Sequence, residues 1–107
     1  MASVHIKVDH HLVRGKLTPV TIKKGDTLFV EVREHSSTGY LWNPTADHIS
    51  LTNNTYQNLE EGAVGSGTVR IMEFTAAKSD ELTLEYRRPW ETMRANKLLT
   101  LQVNVEQ

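Results

Sequence analysis

The chain has no cysteine and only three prolines among its 107 residues. The absence of cysteine excludes disulfides, thiolate metal sites and a cysteine nucleophile, so the fold must be held together by its core. No stretch approaches the roughly 20 apolar residues that cross a bilayer. The net charge is only −1 and the basic residues are scattered along the chain, so neither nucleic acid nor an anionic membrane is expected as a partner.

A length of 107 residues is typical of one domain, and we expect a single domain over 1–107. Residues 1–7 lack the long apolar run of a signal peptide. The compartment stays open between the cytoplasm and the endosomal or lysosomal lumen.

Apolar and polar residues alternate with a period of two in several segments, which is typical of half-buried β-strands. The clearest inward sets come from three segments: Leu28, Val30 and Val32; Leu82, Leu84 and Tyr86; and Leu99, Leu101, Val103 and Val105. A fourth strand starts at 69–71, where the apolar positions then shift to Met72 and Phe74, and this shift suggests a bulge. Weaker strand candidates are 5–8, 20–22, 40–42 and 51–56.

Turn signals separate these segments, among them Lys24-Gly25-Asp26, Asn43-Pro44, Asn53-Asn54 and Lys78-Ser79-Asp80. The pattern predicts an all-β fold of about seven or eight short strands, with no clean helical stripe. An immunoglobulin-like β-sandwich is the natural architecture. The Cys–Trp–Cys pattern of antibody domains is missing.

Three predicted loops have unusual compositions. The first, 35–40, combines His35 with small hydroxyl residues and a glycine. The second, 60–68, has three glycines and little side-chain bulk, and the strand that follows it argues against a phosphate site. The third, 88–96, opens with Arg88-Pro89-Trp90, in which proline ends the strand and carries a large apolar ring into a loop. The alternatives are a plain turn, a flexible hairpin and a Trp folded back onto the sheet.

The order of strands in a sandwich brings these loops together. If strands B to G are taken near 27–33, 40–43, 50–56, 68–75, 81–87 and 97–105, the loops B–C, D–E and F–G emerge at the same end. The alternation therefore predicts that the three loops form one surface.

The loop motifs resemble those of the chagasin-like inhibitors of papain-type cysteine peptidases. That family has Asn-Pro-Thr-Thr-Gly followed by Tyr or Phe in the first loop, Gly-x-Gly-Gly in the second, and Arg-Pro-Trp or Arg-Pro-Phe in the third. The chain has Ser37-Thr38-Gly39-Tyr40, Gly65-Ser66-Gly67 and Arg88-Pro89-Trp90 in the same order. It departs from the family at His35 and Ser36, which replace Asn and Pro, and at Thr68, which replaces the last glycine.

The resemblance implies a reversible, noncovalent inhibitor that is not an enzyme and that fills the peptidase cleft. In such an inhibitor Thr38 and Gly39 would lie nearest the catalytic cysteine. The second loop would make backbone hydrogen bonds, with Val64 reaching an apolar pocket. Trp90 would stack on an aromatic surface, with Arg88 beside it. The implied partners are cathepsin L-like or cathepsin B-like enzymes, and we expect a monomer without metal or cofactor.

Two other functions are compatible with the residues. The same fold can serve as a binding or adhesion module with another ligand, for which Trp90, Tyr40 and Tyr56 are suitable. A hydrolase using His35 with Ser36 or Ser37 is disfavoured, because adjacent residues rarely give triad geometry. His10, His11 and His48 lack a metal-ligand spacing and are best explained as solvated surface residues.

Overall fold

The computed structural model describes residues 2–9, 11–34, 39–58, 67–90 and 95–106. Within them the chain forms nine β-strands: β1 Ser3–Lys7, β2 Arg14–Lys16, β3 Val20–Lys23, β4 Thr27–Glu34, β5 Leu41–Thr45, β6 Ile49–Asn58, β7 Thr68–Ala76, β8 Asp80–Arg87 and β9 Lys97–Glu106. The described part of the chain has no helix that is long and apolar enough to cross a membrane.

The strands form two sheets. One has the order β1-β4-β7-β6, and the other has the order β2-β9-β8-β5, with β3 also pairing with β9. β1 runs parallel to β4, and both β2 and β3 run parallel to β9, while the remaining pairs are antiparallel. The predicted all-β sandwich is thereby confirmed.

The core lies between the two sheets and is built from the residues that alternate inward. In β4, Leu28, Val30 and Val32 are each at most 1% exposed. The predicted inward sets of β8 and β9 are also buried, except that Val105 is half-buried at the end of its strand. Because each buried aliphatic side chain contributes roughly 1.5–3 kcal/mol, this core is the main source of stability.

Two predicted turns lie inside strands. Pro44 is in β5, and among the described residues β5 has β8 as its one strand partner. An edge strand tolerates proline because the missing N–H is not needed for a ladder bond on its free side. Asn53 and Asn54 lie within the ten-residue β6, so this turn prediction was also wrong.

The bulge predicted for β7 lies instead in its neighbour β6. The register of β7 with β4 is continuous, whereas the pairing with β6 shifts between Leu51 and Asn53, which leaves Thr52 as the extra residue. The phase shift in the sequence of β7 has another cause: Arg70 occupies a buried position in phase with Met72 and Phe74.

Candidate functional site

The first, second and third loops connect β4 to β5, β6 to β7 and β8 to β9. In one sheet, Glu34 at the end of β4 and Asn58 at the end of β6 both pair with Thr68 at the start of β7. In the other, Leu41 at the start of β5 pairs with Arg87 at the end of β8. The bases of the three loops are therefore aligned within each sheet.

A hydrogen bond joins the two sheets at this end. The backbone N–H of Trp42 in β5 donates to Oε2 of Glu34 in β4 over 2.9 Å. The bases of the three loops thus lie at one end of the sandwich, as the strand order predicts.

The structure describes six of the eleven predicted site residues: Gly39, Tyr40, Gly67, Arg88, Pro89 and Trp90. The other five lie outside the described residues: Ser37, Thr38, Val64, Gly65 and Ser66. Their proposed roles remain sequence-based predictions.

Trp90 is 69% exposed, although it is one of the largest apolar side chains of the protein. Its six-membered ring lies against Gly39 of the first loop: a Cβ added at Gly39 would lie 3.1 Å from Cζ2 of Trp90 and closer still to Cη2. Gly39 also has a φ of +80°, which favours glycine. The first and third loops therefore meet through a residue that must lack a side chain.

A stack of four side chains, from Arg88 through Tyr40 and Tyr86 to Trp42, lies next to this contact. The guanidinium carbon of Arg88 lies 4.5 Å from the ring centroid of Tyr40, a cation–π distance. Tyr40 stacks on Tyr86 with centroids 5.4 Å apart, and Tyr86 contacts Trp42 at 4.9 Å. Since Tyr86 and Trp42 are buried, the stack connects the loop surface to the core.

The end of the third loop is held by its neighbours. Nη2 of Arg14 in β2 donates to the carbonyl of buried Ala95 over 2.6 Å. The N–H of Asn96 donates to the carbonyl of Tyr86 over 2.9 Å. In the second loop, Gly67 has a φ of +83° immediately before β7 begins. The second loop thus enters β7, and the third loop enters β9, with a defined backbone conformation.

A buried polar network that the sequence analysis missed lies beneath the first two loops. Nη1 of Arg70 donates to Oε2 of Glu34 over 2.9 Å and to the carbonyl of Trp42 over 2.8 Å. The side chains of Glu34 and Arg70 are 2% and 9% exposed. The sequence contains a hint of both burials: Glu34 continues the inward phase of Leu28, Val30 and Val32, and Arg70 alternates with Met72 and Phe74.

A groove of about 530 Å³ opens beside this network, between β5 and β6. Exposed parts of Leu41 and Tyr56 line it, and Arg70 lies 5.8 Å from the Tyr56 ring centroid. Pro89 also lines it, so the groove adjoins the third loop.

Two carboxylates at the opposite end of the sandwich, Asp80 and Asp26, have a lowered pKa. Backbone N–H groups of His48 and Glu81 donate to Asp80 and lower its pKa below 3.8, and Asp47 adds a third donor. N–H groups of Ala2 and Lys23 lower the pKa of Asp26 in the same way. Among the described residues, no group of three or more His, Asp or Glu side chains could hold a metal ion.

Together these features define an immunoglobulin-like β-sandwich with a loop-built surface at one end and an exposed Trp on that surface. The sequence model of the chagasin family peptidase inhibitor I42 matches residues 21–105, and the chain belongs to this family. The predicted resemblance is confirmed, and because the family consists of inhibitors, the chain is an inhibitor and not an enzyme.

The chain is also similar to individual named proteins. Amoebiasin-1 of Entamoeba histolytica is 30% identical over 95 residues, covering 83% of this chain and 91% of the relative. The solution structure of amebosin is 26% identical, with a TM-score of 0.67 and coverage of 98% and 97% of the two chains.

Two more distant structures share the fold. The crystal structure of the cysteine protease inhibitor EhICP2 from Entamoeba histolytica has a TM-score of 0.77 at 24% identity, with coverage of 98% of this chain and 96% of that one. PbICP-C, solved in complex with falcipain-2, has a TM-score of 0.68 at 14% identity, with coverage of 99% and 100%.

Proposed function

We propose that the chain is a reversible, noncovalent inhibitor of papain-type cysteine peptidases that occludes their active-site cleft with its three loops. The observation that carries this proposal is the position of Trp90, 69% exposed beside Gly39 at the end of the sandwich where all three loops begin. An exposed Trp is an expected anchor of a protein interface, because Trp is among the residues with the largest binding contributions.

Each loop has a proposed role. In the first loop, Ser37, Thr38 and Gly39 enter at the catalytic centre, with Thr38 and Gly39 nearest the cysteine. No bond is presented for attack, so the inhibitor is not cleaved. Tyr40 anchors the end of this loop to the sandwich, since it is half-buried between Arg88 and Tyr86.

The second loop follows the side of the cleft that binds the substrate residues before the cleaved bond. Gly65, Ser66 and Gly67 make backbone hydrogen bonds there, and Val64 fills the apolar specificity pocket. A chain with little side-chain bulk suits such close approach.

The third loop covers the other side of the cleft. Trp90 stacks on an aromatic surface of the peptidase, an arrangement that contributes roughly 0.5–1.5 kcal/mol beyond the buried area. Arg88 makes polar contacts beside it, and Pro89 restricts the backbone between them.

The energetics require a surface that is ordered before binding. Nanomolar affinity corresponds to about −12 kcal/mol, which a standard interface of roughly 1,600 Å² delivers only if little ordering is needed. The Trp90–Gly39 contact and the stack from Arg88 to Trp42 supply such order within the described parts of the first and third loops.

The named relatives support the choice of partner. EhICP2 is described as a cysteine protease inhibitor, and PbICP-C was solved bound to falcipain-2. For this chain we propose cathepsin L-like or cathepsin B-like enzymes as targets, bound by a monomer in which 1–107 acts as one inhibitor domain.

Titration of a cathepsin L-like and a cathepsin B-like peptidase with wild type and Trp90→Ala tests the proposal. We expect inhibition without cleavage of the inhibitor, and at least tenfold weaker inhibition by Trp90→Ala, since truncating a central Trp costs about 2 kcal/mol or more. Leu51→Ala is the matched control, because Leu51 is also exposed but pairs with Phe74, toward the opposite end. No inhibition of either enzyme by wild type, or equal loss in both variants, contradicts the proposal.

A further inference from the structure

We propose that Glu34 and Arg70 are positioning residues for inhibition, which fix the bases of the first and second loops relative to each other. This inference rests on the proposed function, because it concerns the same loop surface. Neither residue belongs to the three loop motifs, and neither is exposed enough to serve as a main contact with a peptidase.

The network closes the first loop at both of its ends. Glu34 is the last residue of β4, and Trp42 is the second residue of β5. Oε2 of Glu34 accepts the backbone N–H of Trp42 over 2.9 Å, and the indole Nε1 of Trp42 donates to the carbonyl of Arg33 over 2.8 Å. The two ends of the loop are thus held together by two hydrogen bonds that do not belong to a sheet ladder.

The backbone of Trp42 is available for these bonds because it faces away from β8. Trp42 is paired with Tyr86, whose carbonyl instead accepts the N–H of Asn96 on the β9 side. In an antiparallel ladder such a pair exchanges no hydrogen bonds, so the N–H and C=O of Trp42 point to the outer edge of β5. There Glu34 accepts from the N–H, and Arg70 donates to the C=O. The two side chains occupy the place of a neighbouring strand.

Arg70 extends the network to the second loop. It is the third residue of β7, directly after that loop. Its Nε donates to Oδ1 of Asn54 in β6 over 2.8 Å, and its guanidinium lies 5.8 Å from the ring centroid of Tyr56. The guanidinium of Arg70, which is itself in β7, therefore contacts β6 on the other side of the second loop, and β4 and β5 on the two sides of the first loop.

The buried ion pair of Glu34 and Arg70 is better explained by its positioning of the loops than by a contribution to the free energy of unfolding. Replacing a buried ion pair by apolar residues of similar size is often neutral or stabilising, whereas removing one partner leaves a charge buried alone. The described residues contain no buried side-chain polar atom without a partner, so the network is fully satisfied. A satisfied polar network of this kind specifies one arrangement of the groups that it joins.

The test uses the double variant Glu34→Leu/Arg70→Met beside the single variant Arg70→Met. We expect Arg70→Met to be less stable than wild type, and the double variant to recover much of that loss. We expect both to inhibit a papain-type peptidase at least tenfold more weakly than wild type, because the backbone C=O of Trp42 loses Arg70 in both variants and its N–H also loses Glu34 in the double variant. If the double variant inhibits within twofold of wild type, the network is purely structural and the inference is wrong.

Leu82→Ala is the control for stability. Leu82 is buried in β8 and pairs with Leu101, away from the loops. We expect this variant to be destabilised and yet to inhibit like wild type, assayed at a temperature at which it is fully folded. Equal weakening of inhibition by Leu82→Ala would show that general loss of stability explains the effect.

A second measurement does not depend on any peptidase. In ¹H–¹⁵N NMR spectra of the free protein, we expect the amide of Gly39 and the indole N–H of Trp90 to shift in the double variant and to stay in place in Leu82→Ala. Unchanged signals in the double variant overturn the inference. If wild type inhibits no papain-type peptidase, the proposed function fails, and these signals alone decide whether the network positions the loops.

Discussion

At the scale of single residues, the contact between Gly39 and Trp90 determines the shape of the candidate site. The ring of Trp90 occupies the space that a Cβ at Gly39 would need, and the backbone of Gly39 has a φ of +80°. A side chain at position 39 must therefore both displace the indole and strain the backbone.

Gly39→Ala tests this coupling. We expect inhibition to weaken at least tenfold, and the double variant Gly39→Ala/Trp90→Ala to be much less impaired than the sum of the two single effects. Such non-additivity is expected for residues in direct contact. Inhibition constants for all four proteins of this cycle provide the measurement, and strictly additive free energies would show that the two residues act independently.

Tyr40 is the second residue with a supporting role. Its ring lies between Arg88 and Tyr86, at 4.5 Å from the guanidinium carbon and 5.4 Å from the Tyr86 centroid. We expect Tyr40→Leu to weaken inhibition several-fold, because Arg88 loses a cation–π partner of about 0.5–1 kcal/mol, while Tyr40→Phe keeps the ring and inhibits nearly like wild type. Equal loss in both variants would assign the effect to the hydroxyl group.

Some site residues could be predicted from the sequence and others could not, because only the former are neighbours along the chain. Arg88-Pro89-Trp90 is recognised from three consecutive residues. The pairing of Glu34 with Arg70 is visible only once β4 and β7 are paired, since Glu and Arg are mostly exposed and these two lie 36 positions apart. Their partnership is a property of the tertiary structure.

At the scale of elements, the alternating strands were predictable and the exceptions were not. The six strands β4 to β9 begin and end within about two residues of their predicted bounds. One face of β4, β5, β7, β8 and β9 packs on the core, whereas β6 is exposed from 50 to 57 and, among its described side chains, has only Ile49 buried. β2 was missed because all three of its residues are exposed and no alternation marks it. Pro44 and Asn53-Asn54 misled the prediction because edge strands tolerate residues that central strands exclude.

The link between β8 and the turn that precedes β6 is sensitive to acid. Asp80 accepts N–H groups from His48, Glu81 and Asp47 over 2.8, 2.8 and 2.9 Å, which lowers its pKa below 3.8. Because the folded pKa is below the unfolded one, this carboxylate contributes stability that is fully present above 3.8 and is lost as the pH falls through the folded value.

Asp80→Asn tests this acid dependence. We expect the variant to be less stable than wild type at pH 7, and the difference between the two to shrink as the pH falls from about 4 toward 2. Urea unfolding at a series of pH values measures it. A difference that stays constant over this range would show that the charge of Asp80 does not contribute.

At the scale of the whole molecule, the two ends of the sandwich differ in their structural role. One end holds the turns in which Asp26 and Asp80 accept backbone N–H groups. The other end carries the bases of the three loops, the exposed Trp90 and the network of Glu34 and Arg70. The strand order makes this separation predictable from the sequence, whereas the contacts that lock one loop to another required the structure.

The central claim is that this loop surface fills the active-site cleft of a papain-type peptidase, and competition for the cleft tests it most directly. The measurement is the affinity of wild type for a cathepsin L-like enzyme, free and with its cleft filled by a covalent peptidyl blocker on the catalytic cysteine. We predict that the blocker weakens binding at least 100-fold. Equal binding to the free and the blocked enzyme would contradict the account.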